Sequence, residues 1–229
     1  MATYRNWVSD IRSELKLTSG DIKITDRAIA SLLRDVSIKL IKQQTDRRKL
    51  FFTDTLFTTL PCLELKRVSI TECCDFVSEC YVARSVKQIP KIGENIHGLL
   101  YKGVFSIDYL GKASTVFTYM DVERYANIKR LYPNKEFKYF WIMNGYLYVS
   151  DPNIKRVALS AYFEDPIDER YYDCNVDITT LCPINPLDLE FKCPGYLTDD
   201  VKSLVLSKLM NTYMKTPGDK TVDNKEDAP

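Results

Sequence analysis

The chain has little histidine, glycine and tryptophan, and it lacks the common catalytic motifs. Its 229 residues include one His, eight Gly and two Trp. The single histidine, His97, cannot form a catalytic triad without a positioned nucleophile and acid. The sequence contains no G-x-G-x-x-G, G-x-x-x-x-G-K-[ST], G-x-S-x-G or H-E-x-x-H pattern. It therefore indicates none of the nucleotide-binding, hydrolase or zinc-protease classes that these motifs mark.

The chain also lacks a long apolar segment. No apolar run reaches the ~20 residues that span a bilayer, and the N-terminus is polar, without the apolar core of a signal peptide. We therefore expect a protein made without secretion and without membrane contact. Its seven cysteines are then expected as free thiols.

Three of the cysteines, Cys73, Cys74 and Cys80, lie close together in the sequence. Their spacing differs from the paired pattern of structural zinc sites. Buried, small apolar thiols are the favoured interpretation, while zinc, disulfide and reactive roles stay open. No metal or cofactor is predicted. A cluster of acidic residues at 164–177 has no EF-hand pattern and is interpreted as a solvated or interface surface.

Positive and negative side chains are nearly equal in number over the whole chain, but they are unevenly distributed along it. The net charge is +1, whereas residues 1–50 carry +5 and residues 161–229 carry −7. The small total gives no strong bias toward nucleic acid or anionic lipid. The basic beginning and the acidic end fit contacts between copies of the chain and equally fit contacts within one chain.

The clearest structural pattern is a long helix over residues 25–49. The segment contains no Gly or Pro, and its apolar residues follow helical spacing, with Thr25 as the cap. An earlier amphipathic helix over residues 3–16 completes a helical hairpin. Ile38 and Ile41 lie off the main apolar stripe, which indicates either a broad core contact or a contact with another subunit.

Residues 50–165 are predicted to form an antiparallel β-rich body. Asn144-Gly145 lies between two aromatic and aliphatic runs, the strongest local signal for a β-hairpin. Residues 157–163 alternate as a third strand, so we expect a three-stranded meander. Residues 84–103 are interpreted as an irregular loop, and residues 121–129 as a short helix or loop.

Four prolines between residues 166 and 194 indicate an irregular segment, followed by a last helix from Leu197. The predicted fold is therefore α+β, with one connector domain over residues 1–215. It comprises a helical part at 1–49, a β-rich body at 50–165, and an irregular segment with the C-terminal helix at 166–215. Residues 216–229 contain only two apolar side chains and are predicted to be a flexible tail.

Several short segments resemble one family of virion proteins. These are RSELKL at 12–17, PCLEL at 61–65, ITECC at 70–74, IPKI at 89–92, YLYV at 146–149 and FEDP at 163–166. Together they resemble the head–tail connector, or portal-proximal ring protein, of crAss-like tailed bacteriophages, over about residues 8–215. The motifs indicate a fold and not a catalytic site.

This resemblance implies a non-enzymatic virion protein that is assembled in the bacterial host cytoplasm and joins the capsid portal to the tail. Its implied partners are other copies in a ring of about twelve, the portal protein, other tail or ring proteins, and DNA in the lumen. One alternative is an accessory capsid or tail protein without portal contact. A second is a thiol- or metal-dependent hydrolase based on the cysteine cluster and His97.

We expect the subunit interface to combine the basic side of the long helix with the acidic last third of a neighbouring copy. DNA in a central channel is the alternative partner of the arginines. The predicted interface residues are Arg27, Arg34, Ile38, Ile41, Arg48, Glu164, Asp165 and Asp168.

Deletion of residues 216–229 should leave the thermal stability of the chain nearly unchanged and weaken its assembly. The segment has too few apolar side chains to contribute to a core, so its role would lie in binding another virion protein. Thermal unfolding and electron microscopy of the truncated chain would measure the two effects. Normal assembly of the truncated chain would show that the tail binds no partner.

Overall fold

The computed structural model describes residues 2–18, 24–47, 55–69, 71, 81–107, 113–131, 138–176, 179 and 181–213. Within these ranges the chain is α+β, with helices at both ends and a β-rich centre. The helices are α1 (Tyr4–Thr18), α2 (Asp26–Asp46), α3 (Val122–Leu131) and α4 (Thr198–Tyr213). The strands are β1 (Thr58–Ser69), β2 (Tyr81–Ser85), β3 (Glu94–Asn95), β4 (Gly98–Leu99), β5 (Tyr101–Ile107), β6 (Ala113–Tyr119), β7 (Tyr139–Met143), β8 (Tyr146–Val149) and β9 (Arg156–Ala161).

Seven of the strands close into a barrel in the order β1-β2-β8-β7-β6-β5-β9, and β3 pairs with β4 in a separate hairpin. Neighbouring barrel strands are antiparallel except β6 and β7, which are parallel. A parallel pair needs a crossover connection, and the segment that contains α3 provides it. Inward side chains alternate along each strand and fill the barrel, with Phe140, Leu159 and Val104 fully buried.

The Asn144-Gly145 turn joins β7 and β8 as the sequence indicated. Asn144 has φ of 53° and Gly145 of 76°, the positive values that a two-residue hairpin turn requires. The predicted meander is wrong, because the third strand does not pair with the second. Strand β9 pairs with β1 and β5, while β8 takes β2 as its other neighbour.

Two further boundaries differ from the sequence predictions. Residues 84–103 are not one irregular loop, because they include the end of β2, the β3–β4 hairpin and the start of β5. Helix α2 is capped by Thr25, whose Oγ1 accepts a hydrogen bond from the Ala28 N–H at 3.3 Å. It ends at Asp46 and not at residue 49, and Arg47 is its non-helical C-cap.

Helix α2 is buried on two sides. One side packs with α1 and α4 in a helical cluster that contains Ile11, Leu33 and Val205. The other side places Ile41 against Leu100 and further side chains at one end of the barrel. The helix therefore links the helical cluster to the β-barrel through apolar contacts.

A disulfide joins Cys62 on β1 to Cys174. The expectation of free thiols is therefore wrong for these two residues. Their separation of 112 residues hid the pairing from the sequence, because closure of the barrel brings β1 beside the 3₁₀ turn Glu169–Tyr172. In the described ranges Cys182 and Cys193 are free. Cys73, Cys74 and Cys80 lie outside the described residues.

Reduction of the Cys62–Cys174 disulfide should lower the melting temperature by roughly 5–15 °C. A cross-link that closes a loop of this length stabilises a protein by about 2–5 kcal/mol, chiefly through the unfolded chain. Thermal unfolding with and without a thiol reductant measures the effect, and the variant with both Cys62→Ser and Cys174→Ser should match the reduced protein. Cys182→Ser is the control and should leave the temperature unchanged. Equal melting temperatures with and without reductant would contradict the prediction.

Candidate subunit interface

The charges predicted to join two copies meet within one chain, along a seam between α2 and the segment that follows β9. Arg34 Nη1 lies 2.8 Å from Asp165 Oδ1, and Lys42 Nζ lies 2.7 Å from Glu164 Oε1. The two cations are about two turns apart on one side of α2. The chain after β9 runs past this side of the helix and supplies both carboxylates.

Arg34 and Asp165 thus contact each other within one chain, while a contact between Arg34 and a neighbouring copy stays a prediction. The structure satisfies both charges inside the subunit, which is the alternative that the charge distribution had left open. The Arg34–Asp165 pair is partly exposed, with 38% and 58% of the two side chains accessible. A pair of this kind contributes only ~0–1 kcal/mol.

Glu164 is the most enclosed charge of the seam. Its side chain is 11% exposed, and it also contacts Lys91, whose Nζ lies 2.8 Å from Oε2. Burial alone would raise the pKa of Glu164, but the ammonium groups of Lys42 and Lys91 outweigh it and hold the pKa below its ordinary value of 4.5. The carboxylate thereby joins α2, the segment after β9 and the loop after β2.

The two isoleucines of the second apolar stripe are also used within the chain. Ile41 is fully buried, and Ile38 is partly buried against the same cluster. This corrects the prediction that Ile41 contacts another subunit, because Leu56, Tyr162 and Leu197 already cover it. The broad apolar face of α2 is a two-sided core contact.

The remaining predicted residues differ in their accessibility. Asp168 forms an ion pair with Arg170, whose Nη2 lies 2.7 Å from Oδ2, and accepts the backbone N–H of the same residue. Arg27 is exposed. It borders a groove of about 300 Å³ with Arg34, Pro166 and Leu187. No ion pair involves Arg27 in the part of the chain that the structure describes. Arg48 lies outside that part.

Of the side chains considered for catalysis, His97 lies in the described ranges, whereas Cys73, Cys74 and Cys80 lie outside them. His97 is exposed in the turn between β3 and β4. Burial raises the pKa of the Cys193 thiol to about 12, which keeps it protonated and unreactive near neutral pH. Among the described residues, no group of His, Cys, Asp and Glu side chains could hold a metal ion.

One surface of the barrel was missed by the sequence analysis. On the outer side of β9, β5 and β6, the side chains of Ala158, Phe105 and Val116 form one row, set by the strand register. We call these three residues the open wall. Val116 is 62% exposed. In the sequence, apolar residues of β5 occur at both the inward and the outward positions of the strand. Only the pairing of the strands shows which outward residues lie side by side.

Residues 6–228 match the family of phage tail ring protein 2. The chain belongs to this crAss-like phage family. The match covers nearly the whole chain and confirms the resemblance seen in its short segments. Ring protein 2 is a structural protein of the phage tail, so the virion is its location. No curated protein matches the chain. In the described ranges of this ring protein, no helix is both long and apolar enough to cross a bilayer.

Replacement of Glu164 by Gln should destabilise the chain by about 1–2 kcal/mol at pH 7, because two ammonium groups lose their carboxylate. The folded pKa lies below the unfolded value, so the ion pairs contribute fully above the unfolded pKa. Their contribution is lost as the pH falls through the folded pKa. The difference between the two proteins should therefore shrink below about pH 4.5.

Urea unfolding from pH 7 to pH 3 would measure this difference. Glu123→Gln is a matched control. Glu123 is exposed, and its carboxylate forms no ion pair within the described residues. A difference between wild type and Glu164→Gln that stayed constant down to pH 3 would show that the ion pairs do not stabilise the fold.

Proposed function

We propose that this ring protein is a non-enzymatic adaptor that closes into a ring of about twelve copies and joins the capsid portal to the tail. DNA passes through the lumen of the ring during packaging and ejection. The observation that carries the proposal is the match of residues 6–228 to phage tail ring protein 2. Other tail or ring proteins bind the side of the ring that faces away from the portal.

The architecture supports this role because the barrel is closed. A closed sheet has no free edge in the barrel, so copies cannot associate by adding strand to strand there. Contacts between copies that involve the barrel therefore use side chains on its outside. In a ring each copy presents two different surfaces, one to each neighbour, and the rotation between copies closes the circle.

The ion pairs of the α2 seam support a subunit that folds before it assembles. Arg34 and Lys42 find their carboxylates in the same chain, and the net charge is only +1. Such a subunit has no strong charge that drives it onto other copies in solution. We therefore propose that the ring closes on the portal, which arranges the copies side by side.

Among the described residues, Arg27 is the predicted interface cation that stays available for a partner, because it is exposed beside the groove bounded by Pro166 and Leu187. Its partner in the assembly is either an acidic side chain of a neighbouring protein or a DNA phosphate in the lumen. A phosphate contact would be independent of sequence and would weaken with salt. Arg27→Glu separates the two, since loss of ring assembly indicates a protein partner and loss of retained DNA indicates the lumen.

The full chain should be monomeric or weakly associated at nanomolar concentration and should form rings when the portal protein of the same phage is added. Mass photometry measures the first state, and electron microscopy of the mixture measures the second. The expected images show one ring of the chain seated on each portal.

Stable rings at nanomolar concentration without the portal would contradict closure on the portal. A chain that forms rings with other tail proteins and never binds the portal would contradict the adaptor role. That second result would favour an accessory tail protein. The portal alone, without added chain, is the control image.

A further inference from the structure

Within the described residues, the outside of the barrel is covered by α3 on one side and is more exposed on the other. Over β8 and β7, helix α3 places Tyr125 against Trp141, with ring centroids 4.9 Å apart. Tyr148 follows at 5.8 Å with its ring parallel to that of Trp141. These three aromatic side chains are all buried. Across β9, β5 and β6, by contrast, Val116 of the open wall is 62% exposed.

Gly103 makes room for the central side chain of the open wall. Phe105 lies between Ala158 and Val116 in the strand register. A Cβ at Gly103 would lie 2.6 Å from the Phe105 ring, closer than such atoms approach. Because Gly103 has no side chain, the Phe105 ring can pack directly on the backbone of its own strand. Phe105 is half-buried in this position, and its neighbour Val116 in the register is exposed.

A basic side chain borders the open wall. Arg156 points outward on β9, two residues before Ala158, because Val157 between them points into the barrel. Arg156 is exposed, and within the described ranges it takes part in no ion pair. The wall therefore combines an apolar centre with an exposed cation at its margin, where Glu64 of β1 is the register partner of Arg156.

Helix α4 presents a surface with the complementary properties. Val201, Val205 and Leu209 bury its inner face. On the outward side, Leu204 is 41% and Met210 is 38% exposed. Asp199 and Asp200 lie in the first turn, and both are exposed. We call the side that carries Asp199, Asp200, Leu204 and Met210 the outward face of α4.

We propose that the open wall of one copy packs against the outward face of α4 of the next copy. The contact buries the exposed apolar side chains of Val116, Leu204 and Met210, and it brings Arg156 toward the carboxylates of Asp199 and Asp200. The two surfaces differ, so the contact is heterologous and every copy uses both of them, as a ring requires. This assignment rests on the proposed ring function and names the surfaces through which the ring closes.

A photo-cross-linking amino acid in place of Val116 tests the contact directly. The full chain is labelled in two isotopic forms, mixed, assembled on the portal and irradiated, and the linked peptides are identified by mass spectrometry. The expected product joins position 116 of one form to a peptide from residues 198–213 of the other. The same residue in place of Ile96, which is 75% exposed in the turn between β3 and β4, is the control and should not link to α4.

Charge reversal provides an independent measurement of the same contact. Arg156→Glu should weaken ring assembly about tenfold, and addition of Asp199→Lys and Asp200→Lys in the same chain should restore most of it. Val116→Asp should weaken assembly at least as much, while Ile96→Asp should have no effect. Thermal unfolding of each variant separates loss of assembly from loss of folding.

The outcomes distinguish this contact from the ring function itself. Rings that form normally but cross-link from position 116 to another part of the neighbour, to another virion protein or to the same chain overturn the proposed contact alone. Equal assembly of Val116→Asp and Ile96→Asp also overturns it. A wild-type chain that forms no ring with any tail or portal protein overturns both this contact and the proposed function.

Discussion

The barrel depends on one parallel junction, between β6 and β7. Only Thr118 with Tyr139 and Tyr119 with Phe140 are paired there, and without this pairing the sheet would have two open edges. Because parallel neighbours cannot be joined by a tight turn, the chain must leave the barrel and return. The return path carries α3, and α3 covers the outer side of β7 and β8 with Tyr125. Closure of the sheet and burial of one outer wall are thus consequences of the same connection.

The second constraint is the burial of α2 on two sides. A helix that packs only on other helices could move relative to the barrel, but Ile41 is held by side chains at the barrel end. Glu164 adds a polar contact at the same place, since it joins Lys42 of the helix to Lys91 of the loop after β2. Apolar burial supplies most of the free energy here, and the ion pairs select the orientation of the helix on the barrel.

Features set by neighbouring residues could be predicted from the sequence. Thr25 caps α2 because its hydroxyl is three residues from the N–H that it accepts, and Asn144-Gly145 turns because both residues tolerate positive φ. The partners of β9 and the Cys62–Cys174 disulfide could not be predicted, because they depend on the order in which distant strands close. For the same reason the sequence identified the charges of Arg34 and Asp165 but not that the two side chains contact each other within one chain.

The open wall escaped sequence analysis for a related reason. Phe105 and Val116 alternate with inward residues on their own strands, so each looks like an ordinary strand residue. Only the register places them side by side, and only the structure shows that Val116 is exposed while Phe105 is half-buried. A surface composed of single residues from three strands has no local sequence signature.

The Cys62–Cys174 disulfide has a consequence for the integrity of the chain. The bond encloses every strand of the barrel except the first part of β1 in one covalent loop. A protease that cuts one peptide bond in any surface connection of this loop would leave both pieces joined through sulfur. The barrel would then tolerate a nick without losing a strand, because the severed ends stay paired with their neighbours. A tail component that is nicked by a protease within this loop would therefore stay covalently connected, whatever the stability of its fold.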